Sequence, residues 1–195
     1  MIISSFFRKL LVIFLIISLS NTYAEEWTIK SNDDLIFALV SGEVTHGDNL
    51  AFFIRKNENC EKMWNTFSFY TYEKPKDINQ LLNKDIPIKL NGKELTASVQ
   101  DVRPFLMGYR VLFSLGHFPV KEYTYFLKEF DDEFQLYEIQ MIDNKDFKAS
   151  KYFDIKVNNW KLDNLGPAVL EAYRKYCLLY TSRSPRHGLR GRMRS

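Results

Sequence analysis

The stretch IPIKLNGKELTASVQ (Ile86–Gln100) carries the strongest local structural signal in this chain. Two strand-like runs flank Asn91-Gly92, a dipeptide that tolerates the positive φ angles of a tight type I′ turn. From Leu95 to Val99 apolar residues alternate with polar ones, as in a strand with one buried face. The stretch therefore predicts a two-stranded antiparallel hairpin.

Further strand-like runs lie on both sides of this hairpin. Some alternate between apolar and polar residues, and LIFALV (35–40) is continuously apolar, as in a strand that is buried on both faces. Strands are predicted at residues 26–31, 35–40, 50–55, 65–72, 109–115, 133–142 and 152–157, with a bulge near Glu138.

Two later segments have the helical period instead. An apolar stripe runs from Tyr123 to Phe130, after Pro119, which suits the first turn of a helix. His117 is interpreted as the residue that leads into this helix.

The second helical segment covers residues 163–176, where Asp163 or Asn164 can cap the helix. Together these patterns predict a β-rich α+β fold. We expect a mainly antiparallel sheet or a β-sandwich with two or three helices, one of them C-terminal.

Residues 1–24 have the organisation of a secretory signal peptide. Two basic residues precede an uncharged apolar run, Leu10–Leu19, about half the length that a membrane-spanning helix needs. Thr22 and Ala24 stand at −3 and −1 of a cleavage site. We expect cleavage between Ala24 and Glu25 and a periplasmic or secreted protein. The alternative is a short N-terminal anchor, and no later stretch is apolar enough to be transmembrane.

The formal charge of +3 comes from the ends of the chain. Without the two basic residues of the leader and the five arginines of the tail, 20 of the 27 lysines and arginines remain against 24 acids. Residues 25–177, which we expect to form a single globular domain, are therefore acidic, and we expect no nucleic-acid partner for them.

The tail, residues 178–195, has no apolar periodicity and is predicted to be disordered. An arginine-rich segment can bind nucleic acid or an anionic surface. A different origin is also open, because CLLYTS (Cys177–Ser182) resembles the translated mosaic end of a transposon that is used in sequencing libraries. On that interpretation residues 177–195 are not native.

Few residues form a pattern that supports catalysis. His46 and Asp48 lie in THGDN, and with His117 they could serve acid–base chemistry or a metal. However, Gly-Asp-Asn is an ordinary turn, and a zinc site needs three or four ligands. The motifs of serine hydrolases, phosphate-binding loops and zinc peptidases are absent from the sequence. We therefore predict no catalytic, cofactor-binding or metal-ligating residue, and no cofactor.

The aromatic residues and the cysteines each allow two interpretations. Trp27, Trp64 and Trp160 are assigned to the core, and a ligand-binding platform is the alternative. Cys60 and Cys177 could form a disulfide in an oxidising compartment, which requires Cα atoms about 4.4–6.8 Å apart. If Cys177 is not native, Cys60 has no partner cysteine.

The run NNWKLDNLGPAVLEAYRKYC (158–177) resembles the end of small bacterial periplasmic domains of the invasion-associated locus B family. Those domains end with an aromatic–x–Leu strand, a short helix and a cysteine. The matching positions here are Trp160, Leu162, Leu165, Ala168, Leu170 and Cys177. EWTIK, just after the leader, also fits, whereas the extra cysteines of many members are missing. The resemblance implies an exported β-sandwich without known catalysis.

These observations predict an exported, non-catalytic protein of the cell envelope that binds a protein partner or a small-molecule ligand. The alternative is a periplasmic enzyme of the hydrolase type that uses His46, Asp48 or scattered carboxylates.

The leader generates the first testable prediction. N-terminal sequencing of the protein from the envelope fraction should begin at Glu25, because the apolar run is too short to remain as a spanning anchor. Full-length protein recovered from the cytosol would contradict export.

Overall fold

The fold is described from a computed structural model for residues 27–32, 34–44, 48–58, 60–120 and 136–178. The predicted leader at 1–24, His46, the predicted helical stripe at 123–130 and the tail beyond residue 178 lie outside these ranges.

Nine strands form one sheet in the order β1-β2-β3-β4-β7-β6-β5-β8-β9. Neighbouring strands are antiparallel throughout. The strands are β1 (Thr28–Ser31), β2 (Leu35–Ser41), β3 (Asn49–Arg55), β4 (Lys62–Thr71), β5 (Asp85–Leu90), β6 (Lys93–Phe105), β7 (Gly108–Pro119), β8 (Leu136–Met141) and β9 (Val157–Lys161).

Short helical segments accompany the sheet. Among the described residues they are the 3-10 turns Lys56–Glu58 and Ile78–Leu81, helix α1 (Ala149–Tyr152), and helix α2 (Leu165–Tyr173) with its wider continuation Arg174–Leu178. The prediction of a β-rich α+β fold with a C-terminal helix is confirmed.

The sheet curls, so that its two halves face each other across one core. Ring centroids of Phe67 and Phe69 on β4 lie 6.3 and 6.2 Å from that of Trp160 on β9. Phe52 on β3 meets Tyr137 on β8 in the same way, at 6.5 Å. Since side chains alternate along a strand, one face of each strand supplies this core. Helix α2 adds Leu165, Ala168 and Val169 to it.

The Asn91-Gly92 hairpin forms as predicted. β5 and β6 pair up to Leu90 and Lys93, which leaves Asn91 and Gly92 as the loop. Their φ angles are +46° and +80°. Two consecutive positive φ angles are the requirement of a type I′ turn, which Asn and Gly meet at low cost.

Two register shifts help the long strands to bend. β7 carries an extra residue, Leu115, opposite the step between Asn65 and Thr66 of β4. β6 carries an extra residue, Gln100, opposite β7. A bulge increases the local twist of a strand, which favours a curled sheet. The bulge predicted near Glu138 is wrong, because β8 pairs with β9 in continuous register.

The strand predicted at residues 152–157 is also wrong for most of its length. Residues up to Tyr152 form α1, and β9 begins only at Val157. Asp143 explains the helical turn, because its Oδ1 accepts a hydrogen bond from the backbone N–H of Ala149 at 2.9 Å. Tyr152 and Phe153 are consecutive and both buried, which an alternating strand does not allow.

The predicted helix entry and helix cap differ from the structure as well. His117 lies within β7, opposite Trp64 of β4. Asn164 precedes α2, but it has a φ of +63° and its side chain makes no capping hydrogen bond. Its backbone carbonyl accepts the N–H of Ala168 instead.

The structure joins Cys60 and Cys177 by a disulfide, with Cα atoms 5.9 Å apart. Cys60 lies in the connection between β3 and β4, and Cys177 lies in the helical continuation of α2. The bond therefore holds the C-terminal helix against the first half of the sheet.

Replacing both cysteines with alanine should lower the free energy of unfolding. For an interval of 117 positions, the loop-entropy model gives a loss of about 4–5 kcal/mol. Urea unfolding of the double variant and of the oxidised protein measures the difference. The reduced wild-type protein is the control and should behave like the variant. Unfolding of the oxidised protein, the reduced protein and the variant at the same urea concentration would contradict a stabilising bridge.

Candidate binding face

Four rings line up across the outer face of the sheet, and we call them the aromatic row. Phe37 pairs with Phe53, Phe53 with Trp64, and Trp64 with His117 in the strand registers. Directly paired residues of antiparallel strands project from the same face. The row therefore crosses β2, β3, β4 and β7 on one side of the sheet.

The row packs outside the core. Phe37, Phe53 and Trp64 are half-buried and His117 is exposed, whereas their chain neighbours Ile36, Phe52 and Met63 are buried. The rings of Phe53 and Trp64 are nearly parallel, at 10° and a centroid distance of 6.1 Å. The ring centroid of His117 lies 4.7 Å from that of Trp64. Trp64 is thus the centre of the row.

Trp64 is held by two charged side chains. The guanidinium carbon of Arg55 lies 4.7 Å from the Trp64 ring centroid and 5.8 Å from that of Phe53. A cation over an aromatic ring at an exposed site contributes about 0.5–1 kcal/mol. At the polar edge of the indole, Nε1 donates a hydrogen bond to Glu58 at 2.9 Å. These two contacts fix the orientation of the Trp64 ring.

Positive charge accompanies the row. Lys30 on β1 pairs with Phe37 and extends the row by one strand, and Lys62 precedes Trp64 by two residues on the same face of β4. Among the described residues, no ion pair uses Lys30, Arg55 or Lys62. Acidic residues also lie beside the centre of the row: Glu58, which is hydrogen-bonded to Trp64, and Glu61 are both in the β3–β4 connection.

The assignment of tryptophans to the core is right for two of the three. Trp27 and Trp160 are buried in the core, but Trp64 lies in the aromatic row. A signal for this difference was present in the sequence. Trp64 lies three residues before Phe67 and five before Phe69. Residues an odd number of positions apart project from opposite faces of a regular strand.

A separate, polar site lies around Asp48, which is fully buried where the curled sheet closes. One carboxylate oxygen accepts the backbone N–H of Tyr70. The other accepts Nδ2–H of Asn158 on β9 at 2.6 Å. Asn158 Oδ1 accepts the backbone N–H groups of Val44 and Asn159 at 3.1 and 2.8 Å. Because that oxygen is occupied twice as an acceptor, the amide N–H₂ points at Asp48.

Gly42 provides the space for this closure. A Cβ at this position would lie 2.6 Å from Asn158 Nδ2, inside van der Waals contact. The backbone N–H of Gly42 also donates to the carbonyl of Asp48 at 2.8 Å. A larger residue at position 42 would therefore push Asn158 away from Asp48.

Burial raises the pKa of Asp48 to about 7, while the hydrogen bonds from Tyr70 and Asn158 act in the opposite direction. A pKa near neutrality suits a group that transfers protons. Asp48 has no exposed surface, however, and both of its oxygens are hydrogen-bonded within the protein. The geometry is that of a structural clamp rather than a site that a substrate reaches.

The described residues contain neither a metal site nor a membrane-spanning helix. No group of three or more His, Cys, Asp or Glu is placed to hold a metal ion in this part of the chain. No helix there is long and apolar enough to cross a bilayer.

Comparison of the chain with protein-family models, with curated proteins and with solved structures finds no match. The resemblance of residues 158–177 to the invasion-associated locus B family stays a prediction.

Asp48 generates a prediction about pH. Its folded-state pKa of about 7 lies above the unfolded value of about 3.9, so the folded state binds the proton more tightly. The associated stability is fully present below about pH 4 and is lost as the pH rises through 7, by up to about 4 kcal/mol. Asp48→Asn should abolish this decrease in chemical denaturation measured between pH 4 and 8.

Asp77→Asn is the matched control. The Lys151 ammonium lowers the pKa of Asp77, so its stabilising contribution is lost only as the pH falls through a more acidic range. The decrease between pH 4 and 7 should therefore persist in that variant. Equal decreases in wild type and in Asp48→Asn would show that Asp48 does not cause it.

Proposed function

We propose that this protein is an exported, non-catalytic interaction module, and that the aromatic row with Arg55 binds an acidic segment of a partner protein in the cell envelope. The observation that carries the proposal is Trp64, which stands at the centre of a half-buried outer row with Arg55 over its ring. Export rests on the leader pattern of residues 1–24.

The composition of the row supports a protein partner. Trp, Arg and other aromatic residues are enriched among the residues that dominate binding energy at protein interfaces. Arg55 and Glu58 already hold Trp64 in one orientation. Little side-chain entropy is then lost on binding, which favours affinity.

The charges of the row support an acidic segment. Lys30, Arg55 and Lys62 stand beside the rings, whereas residues 25–177 as a whole carry more acids than bases. Complementary charge steers a partner to such a surface and raises the association rate. Apolar side chains of the same segment would cover the exposed edges of the rings.

The enzyme alternative gains no support from the described residues. It requires a proton-transfer group that a substrate can reach, and Asp48 is enclosed. His117, the described histidine of the body, packs against Trp64 in the aromatic row with the two rings tilted by 40°.

The test compares two charge reversals in affinity capture from a bacterial envelope extract. Arg55→Glu should lose a partner that the wild-type protein retains, because it removes the cation over Trp64 and repels acidic groups. Lys89→Glu, in the β5–β6 hairpin, is the matched control and should retain the partner. Thermal unfolding checks that each variant is folded.

The captured partner is then purified and titrated by calorimetry. Arg55→Glu and Trp64→Ala should each weaken binding at least tenfold, which corresponds to about 1.4 kcal/mol. Lys89→Glu should leave the dissociation constant within twofold. Capture of the same proteins by all variants, or equal dissociation constants, would reject the aromatic row as the binding surface.

A further inference from the structure

The turn between β6 and β7 presents two apolar side chains to solvent. Phe105 pairs with Gly108, so Leu106 and Met107 form the whole loop. They are 80% and 69% exposed, the largest fractions among the large apolar residues that the structure describes. Folding alone does not account for apolar side chains at such a tip, because no core covers them.

The backbone of this turn is also unusual for its sequence. Leu106 has a φ of +50°, in the left-handed region where Gly and Asn are favoured. The neighbouring β5–β6 hairpin meets the same need with Asn91 and Gly92. A leucine that is both strained and exposed indicates a role outside the folding of the hairpin.

Behind the tip, the chemical character of the side chains changes from one residue pair to the next along the hairpin. The pairs are Phe105 with Gly108, then Pro104 with Tyr109, then Arg103 with Arg110. At about 3.3 Å per residue, the arginines lie roughly 10 Å behind the loop residues. Like charges directly opposite each other are unfavourable in a sheet. Asp101 pairs with Arg103, so an anionic partner would mainly relieve Arg110.

Aromatic rings lie beside the hairpin from its tip to the level of the arginines. The guanidinium of Arg110 lies 5.4 Å from the ring centroid of Phe105. The ring centroid of Tyr70 lies 5.8 Å from that of Phe105 and 4.8 Å from that of Tyr72. Tyr72 is 55% exposed.

Gly108 allows β4 to approach this end of the hairpin. A Cβ on Gly108 would lie 2.0 Å from the backbone oxygen of Thr71, so any side chain there would force the strands apart. Two carboxylates near this end have partners among the described residues: Asp101 pairs with Arg103, and Asp154 accepts the backbone N–H of Tyr72 at 3.2 Å.

We propose that the tip of the β6–β7 hairpin docks on an anionic lipid surface, with Leu106 and Met107 inserted below the headgroups and Arg103 and Arg110 at the lipid phosphates. Apolar groups, then aromatic rings, then cations is the order in which a bilayer interface accepts side chains. A protein pocket would not require that order along one axis. The surface is separate from the aromatic row, since Trp64 lies at the opposite end of β4 from the tip.

The test places a tryptophan at the tip. Met107→Trp is mixed with phosphatidylcholine vesicles that contain phosphatidylglycerol and lipids brominated on the acyl chain. Bromine quenches only a nearby indole, so the tryptophan emission should fall by at least a quarter. Leu82→Trp, at a 46% exposed site away from the tip, is the control and should not be quenched.

Every variant keeps the arginine-rich tail. A difference in quenching between variants therefore reports on the hairpin and not on the tail. Adding Leu106→Asn to Met107→Trp should abolish most of the quenching without loss of folding, since Asn tolerates the φ angle. Arg103→Gln with Arg110→Gln should reduce quenching several-fold, whereas Lys89→Gln with Lys93→Gln removes the same charge and should not.

Three outcomes would overturn the proposal. These are no quenching at position 107, equal quenching at positions 107 and 82, and quenching of the same size on vesicles of phosphatidylcholine alone.

Discussion

The contact between Asp48 and Asn158 closes the sheet, and the rest of the structure depends on that closure. It joins the start of β3 to the edge strand β9 across 110 positions of sequence. Glu43 strengthens the same junction, since its backbone N–H donates to Asn159 at 3.0 Å and its carboxylate pairs with Lys161 at 2.6 Å. Because buried polar groups are costly when unpaired, this junction has few alternative arrangements.

Closure decides which side of each strand can take part in binding. Once the sheet is curled, the inward residues of β2, β3 and β4 are committed to a core that includes Phe52, Phe67 and Trp160. The outward residues of the same strands are then free to form the aromatic row. The alternation of a strand thus places a core face and the outer aromatic row on one segment of chain.

Much of the secondary structure followed from local patterns. The Asn91-Gly92 hairpin formed because two residues that accept positive φ angles stood between two alternating runs. The C-terminal helix formed where an apolar stripe followed the helical period. The errors lie where a side-chain hydrogen bond or a strand pairing outweighed the local pattern. Asp143 bonds to the N–H of Ala149 and favours a helical turn, and Trp64 draws His117 into β7 by strand pairing.

The sequence by itself determined the strand-rich class, the hairpin register at Asn91-Gly92, the helical C-terminus and the acidic charge of residues 25–177, because these depend on neighbours along the chain. Only the tertiary structure decided that Asp48 is a buried clamp and that Arg55 lies over the Trp64 ring. The clamp depends on Asn158, 110 positions away, and the placement of Arg55 depends on the register between β3 and β4. A local pattern sets the face of a side chain, but the register between strands decides what it meets.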